Sequence, residues 1–455
     1  MRMVARLVVA VGVLGAAASV GADDSAAFRA GFAEVDITPP PGTPRQGWNT
    51  KLVGDSARDP IMVRAAVFER GGRTLALIQL DIALVTAADT ATIRRRVEAE
   101  HMIPGDRVMV AATHTHSGPA VIDEALPRDE TWIAKMVAGS SKAVGLALAA
   151  REDAEVAVGR AFEWGVAFNR RVVMRDGTVR THGSFKDANA LAFEGPIDPE
   201  VGVLAVRSTG GPIRGILVNF ASHPTHHGGD SFFSAGYPGA IARELKARGI
   251  PVTLFLQGAA GNISYDDPRG TPPRSMDEMG SILALDALKA IDGATWTKPS
   301  TLDAASTTVP IPYRQATQAD IQGKAPGTQR FGEPGYYERQ IPGLLEAIRR
   351  NPVEPAEVQV FRIGDVALAT QPSESFVEHG LRIKESTWPV RTFVVGYANG
   401  MLGYLPHEAA FPRGGYECTF GPPSRMAPEA GRLLADAAIG LVKRLMEPTI
   451  VGPSH

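Results

Sequence analysis

Short apolar, β-rich runs alternate along the chain with longer segments whose apolar residues recur at helical spacing. Each apolar run ends in a polar or glycine-rich turn. The predicted strands are Thr74–Leu80, Val108–Ala112, Gly215–Ala221, Val252–Leu256, Val366–Thr370 and Thr392–Gly396. The predicted helices are Ala87–His101, Glu130–Ala150, Tyr237–Arg248, Met276–Ala290 and Ala427–Met446. This alternation predicts an α/β (mixed) fold in which buried β-sheets are flanked by helices.

Two histidines follow one of these predicted strands directly. Val108–Ala112 leads into the sequence Thr-His-Thr-His-Ser-Gly-Pro at 113–119. Residues i and i+2 point to the same face of a strand, so His114 and His116 are expected to face one small volume. Because ligands in α/β folds bind beyond the carboxyl ends of strands, the pair predicts a metal site or acid–base chemistry there.

Three other residues with metal-binding side chains also lie at or shortly after the ends of predicted strands. They are His223, Glu374 and Tyr404. A catalytic zinc site uses about three to four nitrogen, oxygen or sulfur ligands and keeps a position for water. Cys418 is the only cysteine, which excludes a thiolate-rich site. Together with His114, these residues predict four strand ends that converge on one Zn²⁺ ion.

Each of these residues also has an ordinary structural explanation. His223 fits a buried histidine bonded to backbone, Glu374 fits a cap for a helix starting near Ser375, and Tyr404 fits a core tyrosine. His226-His227, followed by two glycines, is expected to contact substrate or to do nothing. The sequence contains no G-x-S-x-G elbow, P-loop or dinucleotide fingerprint.

Composition narrows the class of protein. The 455 residues are 44% hydrophobic and 21% charged, which is ordinary for a globular protein. The formal net charge of −2 gives no global reason to expect nucleic acid as a partner. No long linker, internal repeat or low-complexity tract divides the chain. Residues 315–337 are polar with scattered Gly and Pro, and predict a long loop that acts either as a lid or as a surface excursion.

The first residues have the pattern of an export signal. Arg2 and Arg6 precede an apolar stretch from Leu7 to Val20, and Ala22 ends a small-residue cleavage site. We therefore expect a signal peptide at 1–22 and a secreted or periplasmic protein, with an uncleaved anchor as the alternative. With one cysteine, no intrachain disulfide forms, so stability is expected from the core and from a bound metal.

Several sequence stretches together resemble the neutral (non-lysosomal) ceramidase family, in its N-terminal catalytic domain. The most specific is Ala-Thr-His-Thr-His-Ser-Gly-Pro at 112–119. The others are Gly31–Pro39, Phe220–Pro224, Pro372–Glu374, Tyr397–Tyr404 and Gly415–Glu417. The likeness spans about Gly31 to Met446, which predicts one ceramidase-like hydrolase domain at 31–446.

The resemblance implies roles for particular residues. His114, His223, Glu374 and Tyr404 match the zinc ligands of the family. His116 and Tyr416 match groups that bind or polarise the scissile carbonyl, and Arg170, in an Asn-Arg pair, matches an arginine of the active site. In the family, zinc assists hydrolysis of the N-acyl bond of ceramide.

The sequence departs from the family in two places. Gly261, in Gly258–Asn262, stands where the family has a serine taken as its nucleophile, and Ser264 is out of register. We also expect the family's C-terminal immunoglobulin-like domain to be absent, since the chain ends soon after the last matching helix. Both departures bear on the substrate and neither touches the predicted zinc ligands.

The expected function is therefore a secreted zinc hydrolase that cleaves an N-acyl amide bond by zinc-activated water. Zinc-dependent hydrolysis of an ester, lactone or glycosidic bond is the first alternative. A non-catalytic protein that holds a ligand on zinc is the second. The expected partner is a small-molecule or lipid-like substrate, with peripheral membrane contact allowed and no nucleic acid. The substrate and the oligomeric state stay open.

Overall fold

The computed structural model describes residues 27–447, so the predicted signal peptide at 1–22 lies outside the described residues. The strands are β1 Arg29–Asp36, β2 Ser56–Ala57, β3 Met62–Arg70, β4 Arg73–Leu80, β5 Val108–Ala112, β6 Glu152–Phe162, β7 Phe168–Asn169, β8 Arg171–Met174, β9 Val179–Thr181, β10 Ala190–Phe193, β11 Glu200–Ser208, β12 Ile213–Phe220, β13 Phe232–Phe233, β14 Val252–Gln257, β15 Ile263–Ser264, β16 Leu302–Pro312, β17 Val353–Ile363, β18 Val366–Gln371, β19 Glu374–Ser375, β20 Arg391–Gly396 and β21 Tyr404–Leu405. The helices are α1 Ala87–His101, α2 Glu130–Ala149, α3 Gly236–Ala247, α4 Met276–Ile291, α5 Gln318–Ile321, α6 Tyr336–Arg350, α7 Val377–Thr387 and α8 Ala430–Met446.

Two larger sheets form the centre of the molecule. Eight strands run in the order β14-β12-β11-β6-β1-β3-β4-β5, and four run in the order β16-β17-β18-β20. Parallel pairing is confined to β4–β5 and β12–β14 in the first sheet and to β18–β20 in the second. These parallel strands are also the buried apolar runs that the sequence predicts, because a parallel strand is covered on both faces.

Alternate residues of these strands enter different apolar cores. On β4, Leu75 and Leu77 point into a core shared with Phe361 and Phe393 of the smaller sheet. Ile78 points to the other face, into a core with α1 and α2. Helices α3 and α4 cover the other half of the large sheet, and α7 and α8 cover the smaller one. The result is four layers in the order helix, sheet, sheet, helix.

The predicted fold class is confirmed, as are the six strands and five helices, to within a few residues at their ends. Helix α6 is not among the predicted helices, and the sequence predicts only an approximate start for α7. The segment 315–337 is mostly irregular, with α5 near its start and α6 beginning at Tyr336. Among residues 27–447, no helix combines the length and apolarity needed to cross a bilayer.

Candidate metal centre and its cavity

Four segments that are distant in sequence meet at one point beyond the strand ends. His114 and His116 follow β5, and His223 follows β12. Glu374 and Tyr404 are register partners in the short parallel sheet of β19 and β21. His114 has a positive φ of 65°, so the chain turns at this residue instead of continuing the strand. The two imidazoles still face each other, with ring centroids 4.6 Å apart.

Backbone carbonyls fix the orientation of two of the imidazoles. His114 Nδ1 lies 2.5 Å from the carbonyl oxygen of Ala83, and His223 Nδ1 lies 2.9 Å from that of Ala260. A carbonyl oxygen only accepts, so each Nδ1 carries the hydrogen and each neutral ring keeps a lone pair on Nε2. Histidine metal ligands are held in this way in most metal sites.

The Nε2 lone pairs of His114 and His223 lie close together with no hydrogen between them. The Nε2 atoms of His114 and His223 are 3.0 Å apart, and Glu374 Oε2 lies 3.3 and 3.4 Å from them. Glu374 Oε2 is buried and has no hydrogen-bond partner among the described residues. Three acceptors packed this closely repel one another unless a cation lies among them. The donor set of two imidazoles and a carboxylate therefore fits a divalent ion such as zinc.

His116 lies at the same point but differs from the other two histidines. Its Nε2 is 3.0 Å from Nε2 of His114, and the ligand atoms of His114, His116 and His223 all lie within 4.8 Å of one another. Its Nδ1 is buried and, within residues 27–447, has no partner. No backbone carbonyl thus fixes the tautomer of His116, and its proton is free to lie on either nitrogen.

The electrostatics of the centre favour a neutral His223 imidazole beside an ionised Glu374 carboxylate. Burial, then the charge of Arg170, lowers the pKa of His223 to about 3. Burial would raise the pKa of Glu374, but positive charge at the position of His114 and His223 outweighs burial and holds this pKa well below its usual range. Metal ligands must be deprotonated, so both residues are ready to bind a cation at neutral pH.

Tyr404 is held from behind by a buried arginine network. Arg170 Nη2 donates to the Tyr404 hydroxyl at 3.2 Å and to the Gly261 carbonyl at 2.8 Å, while its Nε donates to Glu417 at 2.8 Å. Glu417 also accepts from Arg171 at 2.7 Å. Burial raises the pKa of Tyr404, and the Arg170 charge opposes that rise. Arg170 thus lies behind the phenol, in contact with it.

The sequence predicts no role for Glu417 or Tyr397, although both lie in the stretches that carry the resemblance. Tyr397 stacks on the His114 ring with centroids 3.9 Å apart, and Glu417 is fully buried between Arg170 and Arg171. The sequence does offer a reason to consider Glu417. It stands next to Tyr416, and a carboxyl group buried there would need a cationic partner.

A cavity of about 350 Å³ opens in front of the centre. Its walls include every predicted site residue except His223 and Arg170: His114, His116, Glu374, Tyr404 and Tyr416. Other lining side chains are a mixture of apolar and polar groups, namely Leu84, Ile122, Met401, Tyr336, Gln46, Asn49, Glu124, Glu354 and Arg425. The volume is at the lower end of the range for small-molecule sites, roughly 300–1,000 Å³.

Tyr416 is fixed in the cavity wall by the segment that was predicted to be a loop. Asn49 Nδ2 donates to the Tyr416 hydroxyl at 3.2 Å and to the Phe331 carbonyl at 3.1 Å. The Phe331 and Tyr416 rings have centroids 4.9 Å apart. Gln329 accepts a hydrogen bond from the Thr181 amide. The middle of this segment thus packs behind Tyr416, and Tyr336, near its end, lines the cavity.

The backbone at Gly261 leaves no room for a serine side chain. A Cβ there would lie 2.4 Å from the carbonyl oxygen of Glu374 and 3.1 Å from that of Ser375. Ser264 is buried, and its Oγ accepts from the Asp266 amide at 3.1 Å. The centre is therefore built without a serine at 261, and Ser264 is occupied in a turn.

Two other expectations from the sequence differ from what the structure shows. Glu374 caps no helix, because α7 begins after Phe376 with no side-chain cap. His226 is buried, stacks on Tyr265 at 3.7 Å and has its Nε2 3.1 Å from the Arg274 carbonyl oxygen, so it holds the loop in place.

Comparison with known proteins agrees with this geometry. No family model matches the chain. The neutral ceramidase of Pseudomonas aeruginosa is 24% identical, in an alignment that covers 86% of this chain and 68% of that protein. A crystal structure of neutral ceramidase from the same organism superposes with a TM-score of 0.71 at 20% identity, covering 94% of this chain and 77% of that one. A ceramidase complexed with C2 gives 0.72 at 20% identity, covering 94% and 78%. Sequence and fold together confirm the predicted resemblance to the neutral ceramidase family.

Proposed function

We propose that this chain is a zinc-dependent hydrolase of N-acyl amide bonds that acts on a lipid-like substrate, as the names of its ceramidase relatives suggest. The observation that carries the proposal is the set of lone pairs from His114, His223 and Glu374, packed within 3.4 Å and open to a cavity. Such a buried arrangement is costly without a cation.

His114, His223, Glu374 and Tyr404 are the proposed ligands. A zinc ion held there would polarise a carbonyl group and lower the pKa of water. Arg170, in contact with the Tyr404 hydroxyl, would help stabilise the phenol as a phenolate ligand. In this proposal Arg170 acts on the phenol and not on the substrate, because Arg170 does not line the cavity.

His116 and Tyr416 line the cavity together with three of the proposed ligands. We propose that both donate hydrogen bonds to the oxygen that becomes negative as the amide carbonyl is attacked. Donors of this kind contribute roughly 2.7–4 kcal/mol each to the stability of a transition state. Because no hydrogen-bond partner fixes the tautomer of His116, we propose that it also carries a proton between the attacking water and the leaving nitrogen.

The lack of a serine at 261 supports attack by water and leaves the class of bond to be tested. Ester, lactone and glycosidic bonds are the alternatives, and a protein that only holds a ligand on zinc is a further one. We also propose that the protein is exported and that 31–446 acts as a single hydrolase domain, from the sequence pattern of the N-terminus and the extent of the likeness.

Two measurements test this proposal. Zinc content of purified protein is expected to be one ion per chain and to be lost in His114→Ala and Glu374→Ala, whereas His226→Ala, which removes a buried imidazole elsewhere, keeps it. A panel of amides, esters and glycosides is expected to show amide turnover. Zinc content unchanged in both ligand variants would refute the site, and turnover of glycosides alone would refute the amide proposal.

A further inference from the structure

Glu124 places a carboxyl group in the wall of the cavity, close to His116. It lies between β5 and α2 and lines the same cavity as the proposed ligands. Its Oε2 accepts from the Gly47 amide at 3.2 Å. Gly47 in turn packs flat on His116, because a Cβ at Gly47 would lie 2.8 Å from His116 Nδ1. One residue of backbone thus touches both groups.

This carboxyl group lacks the cationic partner that Glu417 and Glu354 have. Glu417 is paired with Arg170 and Arg171, and Glu354, in the same cavity, is bonded to the Tyr313 hydroxyl at 2.7 Å. Arg425 also approaches Glu354, at 3.4 Å. Within residues 27–447, by contrast, Glu124 makes no ion pair, and backbone amides of Gly47 and Asn49 are its donors.

A carboxylate in this setting without a cation beside it is costly, so the group either takes up a proton or gains a positive partner. Burial, with a smaller contribution from the Glu374 carboxylate, raises the pKa of Glu124 to about 7. A bound cation would reverse this shift, because an opposite charge nearby favours the ionised carboxylate.

Aromatic rings share the cavity with this carboxyl group. Tyr336 and Tyr416 line it together with Glu124. Burial and then the charge of Glu124 raise the pKa of Tyr336. A cavity that combines a carboxylate with aromatic rings is a favourable setting for an ammonium group, because ring faces attract cations as well.

We propose that Glu124 is a specificity-determining residue that binds an ammonium group, namely the amine released when the amide bond is cleaved or a cationic group next to that bond. The proposal rests on the proposed function for the identity of that amine. It assigns the amine-bearing part of the substrate to the part of the cavity that Glu124 lines.

The test is a calorimetric titration that requires no turnover. Zinc-loaded protein at pH 8 is titrated with n-butylammonium and, separately, with 1-butanol, its neutral counterpart. Wild-type protein is expected to bind n-butylammonium at least tenfold more tightly than 1-butanol. Glu124→Gln, which keeps the shape of the side chain, is expected to bring the ratio close to one, and Glu354→Gln, in the same cavity, is expected to preserve it.

Three results would overturn the inference: a ratio near one in wild-type protein, a ratio preserved in Glu124→Gln, or a ratio lost equally in Glu354→Gln. Melting temperatures and zinc contents of the same preparations show whether each variant is folded and loaded. If Glu124→Gln preserves the ratio and yet lowers kcat, Glu124 acts in proton transfer and not in recognition. A negative amide panel with a positive titration would reject the proposed reaction while the ammonium site stands.

Discussion

At the scale of single residues, the hydrogen bonds of the imidazole nitrogens define the centre. His114 and His223 donate their Nδ1 hydrogens to backbone carbonyls, and this leaves two Nε2 lone pairs 3.0 Å apart. His116 has no such anchor. In the proposed function this difference gives the two histidines of the His-Thr-His sequence separate roles, a ligand and a proton-carrying group, which their spacing alone could not distinguish.

Gly261 gives the first prediction. Gly261→Ser is expected to lower stability by about 1–3 kcal/mol, because the new Cβ would overlap the Glu374 carbonyl oxygen, and to lower zinc occupancy with it. The measurements are urea unfolding and metal content. Gly440→Ser, with no atom near the added Cβ, is the matched control. A Gly261→Ser protein as stable as wild type and more active on amides would contradict this prediction.

Glu417 gives a prediction about pH. The charges of Arg170 and Arg171 overcome the effect of burial and lower the pKa of Glu417 to about 2. A carboxyl group with a lowered folded-state pKa contributes stability that is present above its unfolded value, near 4.3, and is lost as pH falls through the folded value. Glu417→Gln is thus expected to cost roughly 3–5 kcal/mol at pH 7 and clearly less at pH 3.

Denaturant unfolding at the two pH values measures this difference. Glu346→Gln, which removes an exposed carboxylate beside Arg350, is the control and is expected to cost less than about 1 kcal/mol at either pH. A cost for Glu417→Gln that is the same at pH 3 and pH 7 would show that its charge contributes nothing.

At the scale of elements, the sequence was most informative where a strand is buried on both faces. Val108–Ala112 and Val366–Gln371 are parallel strands whose apolar runs admit few other interpretations. Helix α6 was overlooked because Pro342 interrupts it and because glycines and charged residues precede it. The β19–β21 pair, which aligns Glu374 with Tyr404, is two residues long and leaves no pattern in sequence. The ligand types were therefore predictable, and their register was not.

The segment before α6 gives a prediction at this scale. Phe331→Ala removes the ring that packs on Tyr416, a contact worth about 0.5–1.5 kcal/mol. We expect kcat/KM to fall roughly threefold to tenfold, since about 1.4 kcal/mol is a factor of ten, with zinc content unchanged. Phe162→Ala, at an exposed aromatic on β6, is the control. Loss of zinc in Phe331→Ala would mean that this segment supports the ligands themselves.

At the scale of the whole molecule, the centre joins both large sheets. The proposed ligands His114 and His223 follow strands of the eight-stranded sheet. The other two proposed ligands, Glu374 and Tyr404, follow strands of the four-stranded sheet. A bound ion would therefore link the two sheets, and its removal should lower the stability of the entire fold. Binding at a free-ion concentration 1,000 times Kd stabilises the native state by about 4 kcal/mol.

Chelation should accordingly lower the melting temperature of wild-type protein by several degrees, and added zinc should restore it. His114→Ala is expected to melt at the same temperature with or without chelator. Differential scanning calorimetry makes the comparison. A melting temperature that does not respond to chelator in zinc-loaded wild-type protein would show that the ion does not link the sheets.

The existence and composition of the metal centre are tested most directly by a crystal structure of the zinc-loaded protein with an anomalous difference map at the zinc edge. We predict a single strong peak in contact with His114 Nε2, His223 Nε2, the Glu374 carboxylate and the Tyr404 hydroxyl, with His116 facing the cavity beside it. A peak bound by the three histidines without Glu374 and Tyr404, or no peak between His114 and His223, would contradict it.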